Sequence, residues 1–469
     1  MTGPDAIPLD QLGRVHFAGI GGAGMSGIAR IMLARGVKVS GSDAKPSRML
    51  DELAALGAEV HTGHDAANLG DADTLVVSTA IRADNPELAA ARDRGIRILH
   101  RASALASVML GKRVIAVAGT HGKTTTTGML TTILLTAGAG PGYAIGGVLT
   151  ETGLGAAWGS GEFFVAEADE SDRSFLLLSP DAAIITNVEA DHLDNYAGLA
   201  EIEETFAAFC RRIPPGGLLV VCADHPGTQA LAAAADGLPL RLVSYGESAT
   251  AGYRISNVRP DGMGVGLTVT APGHGGQRIG LAVPGRHNAL NAAAAFAAAV
   301  ELGLPVQEAA AGLAAYRGAQ RRLEPKGEAG GVRVLDSYAH HPTELAADLR
   351  TAREIAGAGR VIAVFQPHLY SRTRIFATEL GAALALADQA FVLEVYAARE
   401  DPEPGVTGRL VADAVPSGSA RYLPEFQAVP QAVAAAARPG DLVLTMGAGD
   451  VTTLGPLLVD ALRATQAVR

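Results

Sequence analysis

The segment VIAVAGTHGKTTTTGML, at residues 114–130, contains the residue types that bind a chain of phosphates. Glycines let backbone N–H groups approach phosphate oxygens, a lysine supplies a compact positive charge, and a threonine hydroxyl is a ligand for Mg²⁺. The loop is shorter than the P-loop pattern G-x-x-x-x-G-K-[ST], because Val117 stands five residues before Gly122, where that pattern requires glycine. We therefore predict a triphosphate wrapped by the backbone of Gly119–Lys123, with Mg²⁺ held by Thr124.

A second glycine motif lies near the start of the chain. GIGGAG fits the pattern G-x-G-x-x-G through Gly19, Gly21 and Gly24, and it follows a strand-like run and opens a helix-like one. The glycines and the helix N-terminus predict a diphosphate site, and Asp43, about 20 residues further on, is the expected partner of a ribose hydroxyl. From this motif alone the expected ligand is NAD, so an NAD-dependent dehydrogenase is one hypothesis for the chain.

Acidic and imidazole side chains cluster after two strand-like runs that follow the lysine loop. EADESD begins at Glu167 and EADHLD begins at Glu189. Nucleotides bind at the carboxyl edge of a parallel sheet, and carboxylates in such loops suit a hard cation attached to phosphate oxygens. The side chains that we expect at this edge are Glu167, Asp169, Glu170, Asp172, Asp191, His192 and Asp194.

Strand-like and helix-like segments alternate along the chain, which predicts an α/β fold with mostly parallel sheets. New units begin near residue 113 and after residue 320, while residues 240–285, with turns marked by Gly and Pro, look antiparallel. We expect three domains: an N-terminal Rossmann-like domain at 1–110, a central P-loop ATP-binding α/β domain at 111–320, and a C-terminal Rossmann-like α/β domain at 321–469.

The composition restricts the functional class. Of 469 residues, 48% are hydrophobic and 18% are charged, which predicts several folded cores. The net charge of −10 argues against broad binding of nucleic acid, which requires a basic face. No apolar run is long enough to cross a bilayer and no signal-peptide pattern is present, so we expect no membrane insertion. Cys210 and Cys222 are expected to be reduced, buried thiols of a cytoplasmic protein.

Eight motifs together resemble the Mur ligases. In chain order they are HFAGIGGAGMSGIA, AGTHGKTTTT, EADESD, TNVEADHLD, PGRHNALNA, SYAHHPTE, FQPHLYSRT and MGAGD. The resemblance covers roughly residues 14–452, which is nearly the whole chain. The resemblance is closest to the members that use UDP-N-acetylmuramate and L-alanine as substrates, and it implies ATP and Mg²⁺ as cofactors. It assigns the shortened lysine loop to ATP and the first glycine loop to the uridine diphosphate of the sugar substrate.

The implied reaction is an ATP-dependent ligation in peptidoglycan synthesis, the process on which bacterial cell shape and division depend. In it, the lactyl carboxylate of UDP-N-acetylmuramate is phosphorylated to an acyl phosphate. The amine of L-alanine then attacks the acyl carbon, and ADP and phosphate are the other products. The resemblance leaves a monomer or a homodimer as the expected state.

The resemblance also assigns roles to individual residues. The implied catalytic residues are Lys123, Glu167 and His192, and the implied metal ligands are Thr124, Glu167 and His192. The residues implied to bind ATP are Gly119, Thr120, His121, Gly122, Lys123, Thr124, Thr125, Asn288, Asn291, Arg322 and Asp336. Those implied to bind the UDP-sugar are Gly19, Gly21, Gly22, Ala23, Gly24, Met25, Asp43, Ser78 and Thr79. Those implied to lie on the amino-acid side are Tyr338, His340, His341, His368 and Arg372.

One position departs from the pattern of the family. The family often has a second acid after the aspartate that matches Asp336, and this chain has Ser337 there. The role implied for Asp336 is unaffected, but no carboxylate is expected from its neighbour.

Three hypotheses compete with the ligation of L-alanine. A recycling ligase would add a whole tripeptide to the same sugar nucleotide, although such enzymes differ in the first glycine loop. The NAD-dependent dehydrogenase would transfer hydride, visible as nicotinamide absorbance, and would form no ADP. A regulatory nucleotide-binding protein would hydrolyse ATP slowly without any sugar substrate.

Overall fold

The computed structural model describes residues 6–193, 195–398, 400–416 and 418–468. The chain forms two compact units. The first unit holds the described residues up to Ser256, together with Thr268–Ile279 and Leu290–Tyr316. The second holds Asn257–Leu267, Gly280–Ala289 and the described residues from Arg317 onward.

The first sheet lies in the first unit and has five parallel strands in the order β3-β2-β1-β4-β5. Its strands are β1 Val15–Ala18, β2 Val39–Asp43, β3 Glu59–Thr62, β4 Thr74–Val77 and β5 Arg97–His100. The helices that follow its strands are α1 Ala23–Ala34, α2 Arg48–Ala55, α3 Pro86–Asp93 and α4 Arg101–Met109. The strand order reverses between β1 and β4, so the loops after these strands border the crevice where such sheets bind ligands.

The second sheet has ten strands in the order β15-β14-β13-β12-β11-β10-β6-β9-β7-β8. Its strands are β6 Arg113–Ala118, β7 Gly142–Ala144, β8 Ala156–Ala157, β9 Phe163–Glu167, β10 Ala182–Ile185, β11 Leu218–Cys222, β12 Arg241–Gly246, β13 Tyr253–Asp261, β14 Gly264–Thr270 and β15 Gly276–Leu281. The helices of this part of the chain are α5 Lys123–Thr136, α6 Leu199–Cys210, α7 Pro226–Ala234, α8 Arg286–Glu301 and α9 Val306–Ala315. Strand β6 lies between β10 and β9 and is parallel to both, so the loops after these three strands leave the same edge.

The third sheet belongs to the second unit, and its six strands have the order β16-β17-β21-β18-β19-β20. Its strands are β16 Glu324–Ala329, β17 Val332–Ser337, β18 Val361–Phe365, β19 Gln389–Val392, β20 Ala420–Tyr422 and β21 Leu442–Met446. Its helices are α10 Pro342–Ala356, α11 Tyr370–Leu384, α12 Gly408–Asp413, α13 Val429–Ala436 and α14 Leu454–Val468. All neighbouring strands are parallel except β16, which runs antiparallel to β17.

The cores explain why the sequence shows continuous apolar strands. In the first unit a single buried cluster extends from Phe17 and Ile28 of the first sheet and its helix to Phe164 and Phe206 of the second sheet and its helix. In the second unit, buried clusters cover both faces of the third sheet. Strands buried on both faces lose the alternation of polar and apolar residues, as the all-buried strand β18 illustrates.

Two further expectations can be compared with the structure. Cys210 and Cys222 are buried free thiols, as predicted, and burial raises the pKa of both. The antiparallel pairing predicted from residue 240 onward is wrong for β12, which is parallel to β11 and to β13. The reason is that helix α7 forms a crossover connection between β11 and β12, which returns the chain in the parallel direction. None of the helices in the described ranges has the length and apolar character needed to span a bilayer.

Candidate functional site

The lysine loop connects β6 to α5, and two of its glycines have backbone conformations that other residues rarely adopt. Gly119 has a φ of +125° and Gly122 a φ of +84°. A Cβ on Gly119 would lie 2.1 Å from Thr186 Oγ1, and one on Gly122 would lie 2.5 Å from Asn291 Oδ1. Glycine is therefore required at both positions, and the loop lies directly against the residues after β10 and the side chain of Asn291.

Asn187, just after β10, holds the middle of this loop. Its backbone carbonyl accepts the N–H of Thr120 at 3.1 Å. Its side chain accepts the N–H of His121 at 2.8 Å and donates to the carbonyl of His121 at 3.0 Å. Two of the N–H groups predicted to wrap the triphosphate are thus engaged by Asn187 in this structure. The first turn of α5, beginning at Lys123, follows directly as a second source of donors.

The ammonium of Lys123 lies among three acceptors. It donates to the carbonyls of Gly119 at 2.7 Å and Thr120 at 3.1 Å, and to Glu170 Oε1 at 2.8 Å. Burial alone would lower the pKa of Lys123, but Glu170 and Asp169 raise it above its usual value. Burial raises the pKa of Glu170 to about 7. The ammonium of Lys123, which we predict to bind phosphate, is therefore charged and is held by two carbonyls of its own loop.

The three implied metal ligands lie at the same sheet edge. Thr124 Oγ1 donates to Glu167 Oε1 at 3.1 Å, and Glu167 Oε2 accepts the N–H of Gly146 at 2.7 Å. His192 has a φ of +52°, and its Nε2 lies 3.7 Å from Glu170 Oε1. Glu170 therefore lies between His192 and Lys123. Of the acids expected at this edge, Asp194 lies outside the described residues.

Oxygen donors of this kind fit the predicted metal. The Thr124 hydroxyl and the Glu167 carboxylate are hard oxygen ligands that already touch one another, so both can face one cation. The imidazole of His192 lies beside Glu170, the partner of Lys123 at the same sheet edge. The donor set suits a Mg²⁺ ion that keeps several waters and phosphate oxygens as its other ligands.

The first glycine loop connects β1 to α1 and is closed by Asp43. Gly21 donates its N–H to Asp43 Oδ2 at 2.9 Å, and the N–H groups of Gly19 and Ile20 donate to the carbonyl of Ser42. The predicted ribose partner is therefore already bound to the loop backbone through one oxygen. The turn after β4, which contains Ser78 and Thr79, places Ile81 against Gly19.

The remaining residues of this loop differ in exposure. Gly22 and Ala23 are exposed at the start of α1, whereas the side chain of Met25 is buried in the core. Any contact of Met25 with a ligand would thus involve its backbone. A Cβ on Gly24 would lie 2.7 Å from Arg101 Nη1. Gly24 is small because the guanidinium of Arg101 lies over the first turn of the helix.

In the second unit, Asp336 at the end of β17 is fully buried. Its two oxygens accept hydrogen bonds of 2.7 Å from Thr445 and Thr452, and the Nε of Arg321 lies 3.4 Å from Oδ2. Asp336 thus contacts Arg321, which precedes the Arg322 that the resemblance assigns to ATP. The guanidinium of Arg322 lies 5.5 Å from the centre of the Tyr338 ring.

The two asparagines of the ATP set lie on α8, which contributes residues to both units. Both side chains are buried. Asn288 donates to the carbonyl of Pro284 at 2.7 Å, which closes the turn that leads into the helix. Asn291 lies against Gly122 of the lysine loop, as described above. The structure therefore brings together Asn291 and the loop, and it uses Asn288 to shape the start of the helix.

Four of the five residues predicted on the amino-acid side are neighbours. The rings of Tyr338 and His340 are 5.3 Å apart, and those of His340 and His368 are 5.9 Å apart. Arg372 Nη1 lies 3.4 Å from His368 Nδ1, and the arginine is buried. His341 has a different setting, because it caps the N-terminus of α10 and its ring lies beside that of Phe376.

Three segments of the chain match known protein families. Residues 14–113 match the Mur ligase family, catalytic domain, and residues 117–299 match the Mur ligase middle domain. Residues 321–449 match the Mur ligase, glutamate ligase domain.

The chain belongs to the Mur ligase family.

Relatives within the Mur ligases cover nearly the full length. The chain is 55% identical to the UDP-N-acetylmuramate--L-alanine ligase of Thermobifida fusca (strain YX), over 98% of each sequence. It is 56% identical to the ligase of the same name from Kineococcus radiotolerans, over 98% of this chain and 99% of that one.

Solved Mur ligase structures share the architecture. The UDP-N-acetylmuramate-alanine ligase of Thermotoga maritima matches with a TM-score of 0.82 and 29% identity, covering 97% of this chain and 100% of that one. A murein peptide ligase from Psychrobacter arcticus matches with a TM-score of 0.73 and 28% identity, covering 96% and 98%. The predicted three-domain α/β architecture is confirmed.

Three residues near these sites received no role from the sequence, and the pairing of a fourth, Glu170, was not predicted. Glu170 was one of several acids in a cluster, and only the structure shows that it pairs with Lys123. Arg101 donates to Asp169 at 2.9 Å and so links the first turn of α1 to the acidic segment after β9. Tyr396 stacks on His368 at 5.9 Å, and Asn187 braces the lysine loop. Asn187 lies within the motif TNVEADHLD, and this motif was the sequence signal that could have identified it.

Proposed function

We propose that this chain is an ATP-dependent ligase that joins L-alanine to the lactyl carboxylate of UDP-N-acetylmuramate. The observation that carries the proposal is the 55% identity, over 98% of both sequences, to a ligase of that name. The arrangement of the sites supports it. The first unit alone contains two glycine loops, one suited to a diphosphate and one to a triphosphate, which is the requirement for two nucleotide substrates.

The reaction needs activation because a carboxylate is a poor electrophile. The lactyl carboxylate attacks the γ-phosphorus of ATP, ADP leaves, and an acyl phosphate forms. The uncharged amine of L-alanine attacks the acyl carbon and inorganic phosphate leaves. The attacking nitrogen loses one proton as the amide forms. Each step moves negative charge on phosphate oxygens, so a fixed positive charge beside them lowers the barrier.

Lys123 would provide that charge. Its ammonium lies beneath the loop, 2.8 Å from Glu170, and it needs only to turn from this carboxylate to a phosphate oxygen. Mg²⁺, held by Thr124, Glu167 and His192, would neutralise phosphate charge when bound. Within the chain, Glu167 also fixes the loop at Gly146, so the metal ligand is oriented before any nucleotide arrives.

The other two substrates would bind at the remaining clusters. The loop between β1 and α1 would hold the uridine diphosphate at the first turn of α1, because the N–H groups of residues 19–22 already donate within the protein. The cluster of Tyr338, His340, His368 and Arg372 would hold L-alanine, with the guanidinium of Arg372 facing the carboxylate of the amino acid.

We further propose boundaries near residues 110 and 320 for the three domains and a location in the cytoplasm, where the nucleotide substrates are made. The division into three is supported by three separately matched segments, 14–113, 117–299 and 321–449, the first of which ends three residues after the proposed boundary. Both a monomer and a homodimer are compatible with the proposed reaction.

The recycling of a tripeptide is the second candidate, since a murein peptide ligase has the same architecture at a TM-score of 0.73. The purified chain should be given UDP-N-acetylmuramate, ATP, MgCl₂ and either L-alanine or the tripeptide L-alanyl-D-glutamyl-diaminopimelate. Mass spectrometry should find the product of L-alanine. Product from the tripeptide alone would replace the proposed function with the recycling reaction.

A further inference from the structure

Two cationic side chains, one beside each glycine loop, are held by adjacent acids of the segment after β9. Lys123 of the lysine loop donates to Glu170 at 2.8 Å. Arg101, whose guanidinium lies over the first turn of α1, donates from Nη2 to Asp169 Oδ2 at 2.9 Å. All four residues lie in the first unit. The acids that we expected at one cation site therefore divide between the two loops.

The first turn of α1 is the part of the first glycine loop that remains available to an anion. The N–H groups of residues 19–22 donate within the protein, whereas those of residues 23–25 have no hydrogen-bond acceptor in the described part of the chain. Helix α1 has neither a side-chain cap nor an acid in its first turn. Arg101 Nη1 lies 2.7 Å from the position of a Cβ on Gly24. A helix N-terminus and a guanidinium thus lie side by side, and both attract phosphate oxygens.

Asp169 fixes the direction of this guanidinium with both of its carboxylate oxygens engaged. Its Oδ1 accepts the N–H of Ser171 at 3.0 Å, which holds the side chain against its own backbone, and its Oδ2 accepts from Arg101. A guanidinium has five N–H donors in a rigid fork. Nη2 can therefore stay on Asp169 while Nη1, which has no hydrogen-bond partner among the described residues, contacts a phosphate oxygen.

A second contact from the same acidic segment fixes the backbone beside Arg101. His100 caps α4, because its Nδ1 accepts the N–H of Ala102 at 3.2 Å. The imidazole proton then lies on Nε2, which is 3.4 Å from Asp172 Oδ2. The segment after β9 therefore holds both the start of α4 and the guanidinium that extends from it.

We propose that Asp169 serves the sugar nucleotide: it is a positioning residue that holds Arg101 over the first turn of α1, where Nη1 contacts the diphosphate. The inference rests on the proposed function for the identity of that ligand. Neighbouring carboxylates of one segment then serve different substrates, since Glu170 is the partner of Lys123. The side chains of Arg101 and Asp169 are 26% and 38% exposed, and ion pairs with this exposure add little to stability. Their loss should therefore affect binding and not folding.

Three variants of the full chain test this inference: Arg101→Gln, Asp169→Asn, and the double variant with both changes. Asp169→Asn is informative because an amide has one acceptor oxygen and cannot satisfy both Ser171 and Arg101. Calorimetry measures the affinities for UDP-N-acetylmuramate, UDP and uridine, the last by displacement, and the melting temperature is recorded for each variant. Arg92→Gln and Asp93→Asn, at exposed residues of α3, are the matched controls.

We expect Arg101→Gln to weaken the binding of UDP and UDP-N-acetylmuramate about tenfold, the effect of one lost charge-assisted hydrogen bond. Asp169→Asn should weaken both about threefold, since the guanidinium remains but loses its orientation. Uridine has no phosphate, so its affinity should not change. The double variant should bind UDP no more weakly than Arg101→Gln, because Asp169 acts only through Arg101. The controls should match the unmodified chain.

Unchanged UDP affinity in Arg101→Gln, or equal losses for UDP and uridine, would overturn the inference. An effect of Asp169→Asn that persists in the absence of Arg101 would overturn the positioning role. If Arg101→Gln loses thermal stability, Arg101→Lys carries the test. A lysine keeps the charge beside Asp169 but lacks the fork that reaches both anions, so UDP binding should still weaken. Failure of the unmodified chain to bind any uridine nucleotide would instead contradict the proposed function.

Discussion

The ammonium of Lys123 lies 2.8 Å from Oε1 of Glu170, and the carboxylate of Glu170 is almost entirely buried. The same oxygen lies 3.7 Å from Nε2 of His192. One acid therefore lies beside both Lys123, which we propose to contact the phosphates, and His192, which we propose to bind Mg²⁺. In the proposed complex with ATP, phosphate oxygens would replace the carboxylate of Glu170 at Lys123, whereas Glu167 would remain in place as a ligand of Mg²⁺.

Replacing Lys123 should abolish ligation while leaving a folded protein. We expect Lys123→Ala to lower kcat/KM by at least roughly 10²-fold, because the preorganised charge beside the transferred phosphoryl group is lost. Lys123→Arg should also fail, since a planar guanidinium does not replace a compact ammonium. Steady-state release of ADP measures the effect.

The partner of Lys123 supplies a control for that experiment. Lys123→Ala leaves Glu170 buried without its cation, which costs stability that Glu170→Gln in the same chain should restore. The double variant should therefore melt near the unmodified chain and remain inactive. Recovery of activity in the double variant would contradict the assignment of Lys123 to ATP.

His192 should determine the requirement for Mg²⁺. We expect His192→Ala to raise the Mg²⁺ concentration for half-maximal rate at least about tenfold, since even outer-shell partners of a metal contribute that much. Titration of MgCl₂ at saturating substrates measures it. His274→Ala, at an exposed histidine on the loop between β14 and β15, is the matched control and should leave the titration curve in place. Equal requirements in both variants would remove His192 from the metal site.

The first glycine loop should bind a uridine nucleotide and not NAD. A Cβ on Gly21 would lie 2.8 Å from Asp43 Oδ2, so Gly21→Ala forces Asp43 away and distorts the loop. We expect this variant to bind UDP-N-acetylmuramate at least about tenfold more weakly, while ATP affinity is retained because the lysine loop is a separate element. Calorimetry that detects NAD but no uridine nucleotide would favour the dehydrogenase.

Glu87 in the first unit should make the stability of the protein depend on pH. Burial alone would raise its pKa, but the imidazole of His16, 3.7 Å away, and hydrogen bonds from Asn68 and Ser42 lower it from 4.5 to about 2. A depressed pKa contributes stability that is present above pH 4.5 and is lost as the pH falls towards 2. At neutral pH, the ionised Glu87 contributes about 3 kcal/mol to the free energy of unfolding.

Glu87→Gln tests this dependence, because the amide retains the shape and loses the charge. The denaturation midpoint of the variant should lie below that of the unmodified chain at pH 7, and the difference should shrink between pH 5 and pH 2. A difference that stays the same at pH 2.5 would show that the ionised carboxylate is not what stabilises this network.

The sequence predicted most of the fold because its central strands are buried on both faces and several stand directly before a glycine-rich or an acidic motif. Strands β1, β9 and β10 lie in the strand-like runs that precede the first glycine motif and the two acidic segments. The edge strands β3, β16 and β20 gave no such signal, since they are short and largely exposed. Pairing partners far along the chain decide whether such segments become strands, and a local pattern does not contain that information.

The same limit applied to the site. The motifs supplied Lys123, Thr124 and Glu167, which the sheet places at one edge because β6 and β9 are parallel neighbours. They did not show that Lys123 pairs with Glu170, nor that Asp336 pairs with Arg321 and Ser337 with Asp348. Each of these pairs depends on rotamers and on contacts between separate elements. The spacing of residues in the chain does not determine either.

The release of ADP, measured with each substrate omitted in turn, tests the central claim most directly. The complete mixture contains the purified chain, ATP, MgCl₂, UDP-N-acetylmuramate and L-alanine, and a coupled assay follows ADP. We expect sustained ADP release only when all components are present, with one amide product formed per ADP. ADP released at the full rate without UDP-N-acetylmuramate, or no ADP but a change in nicotinamide absorbance with added NAD, would contradict the account.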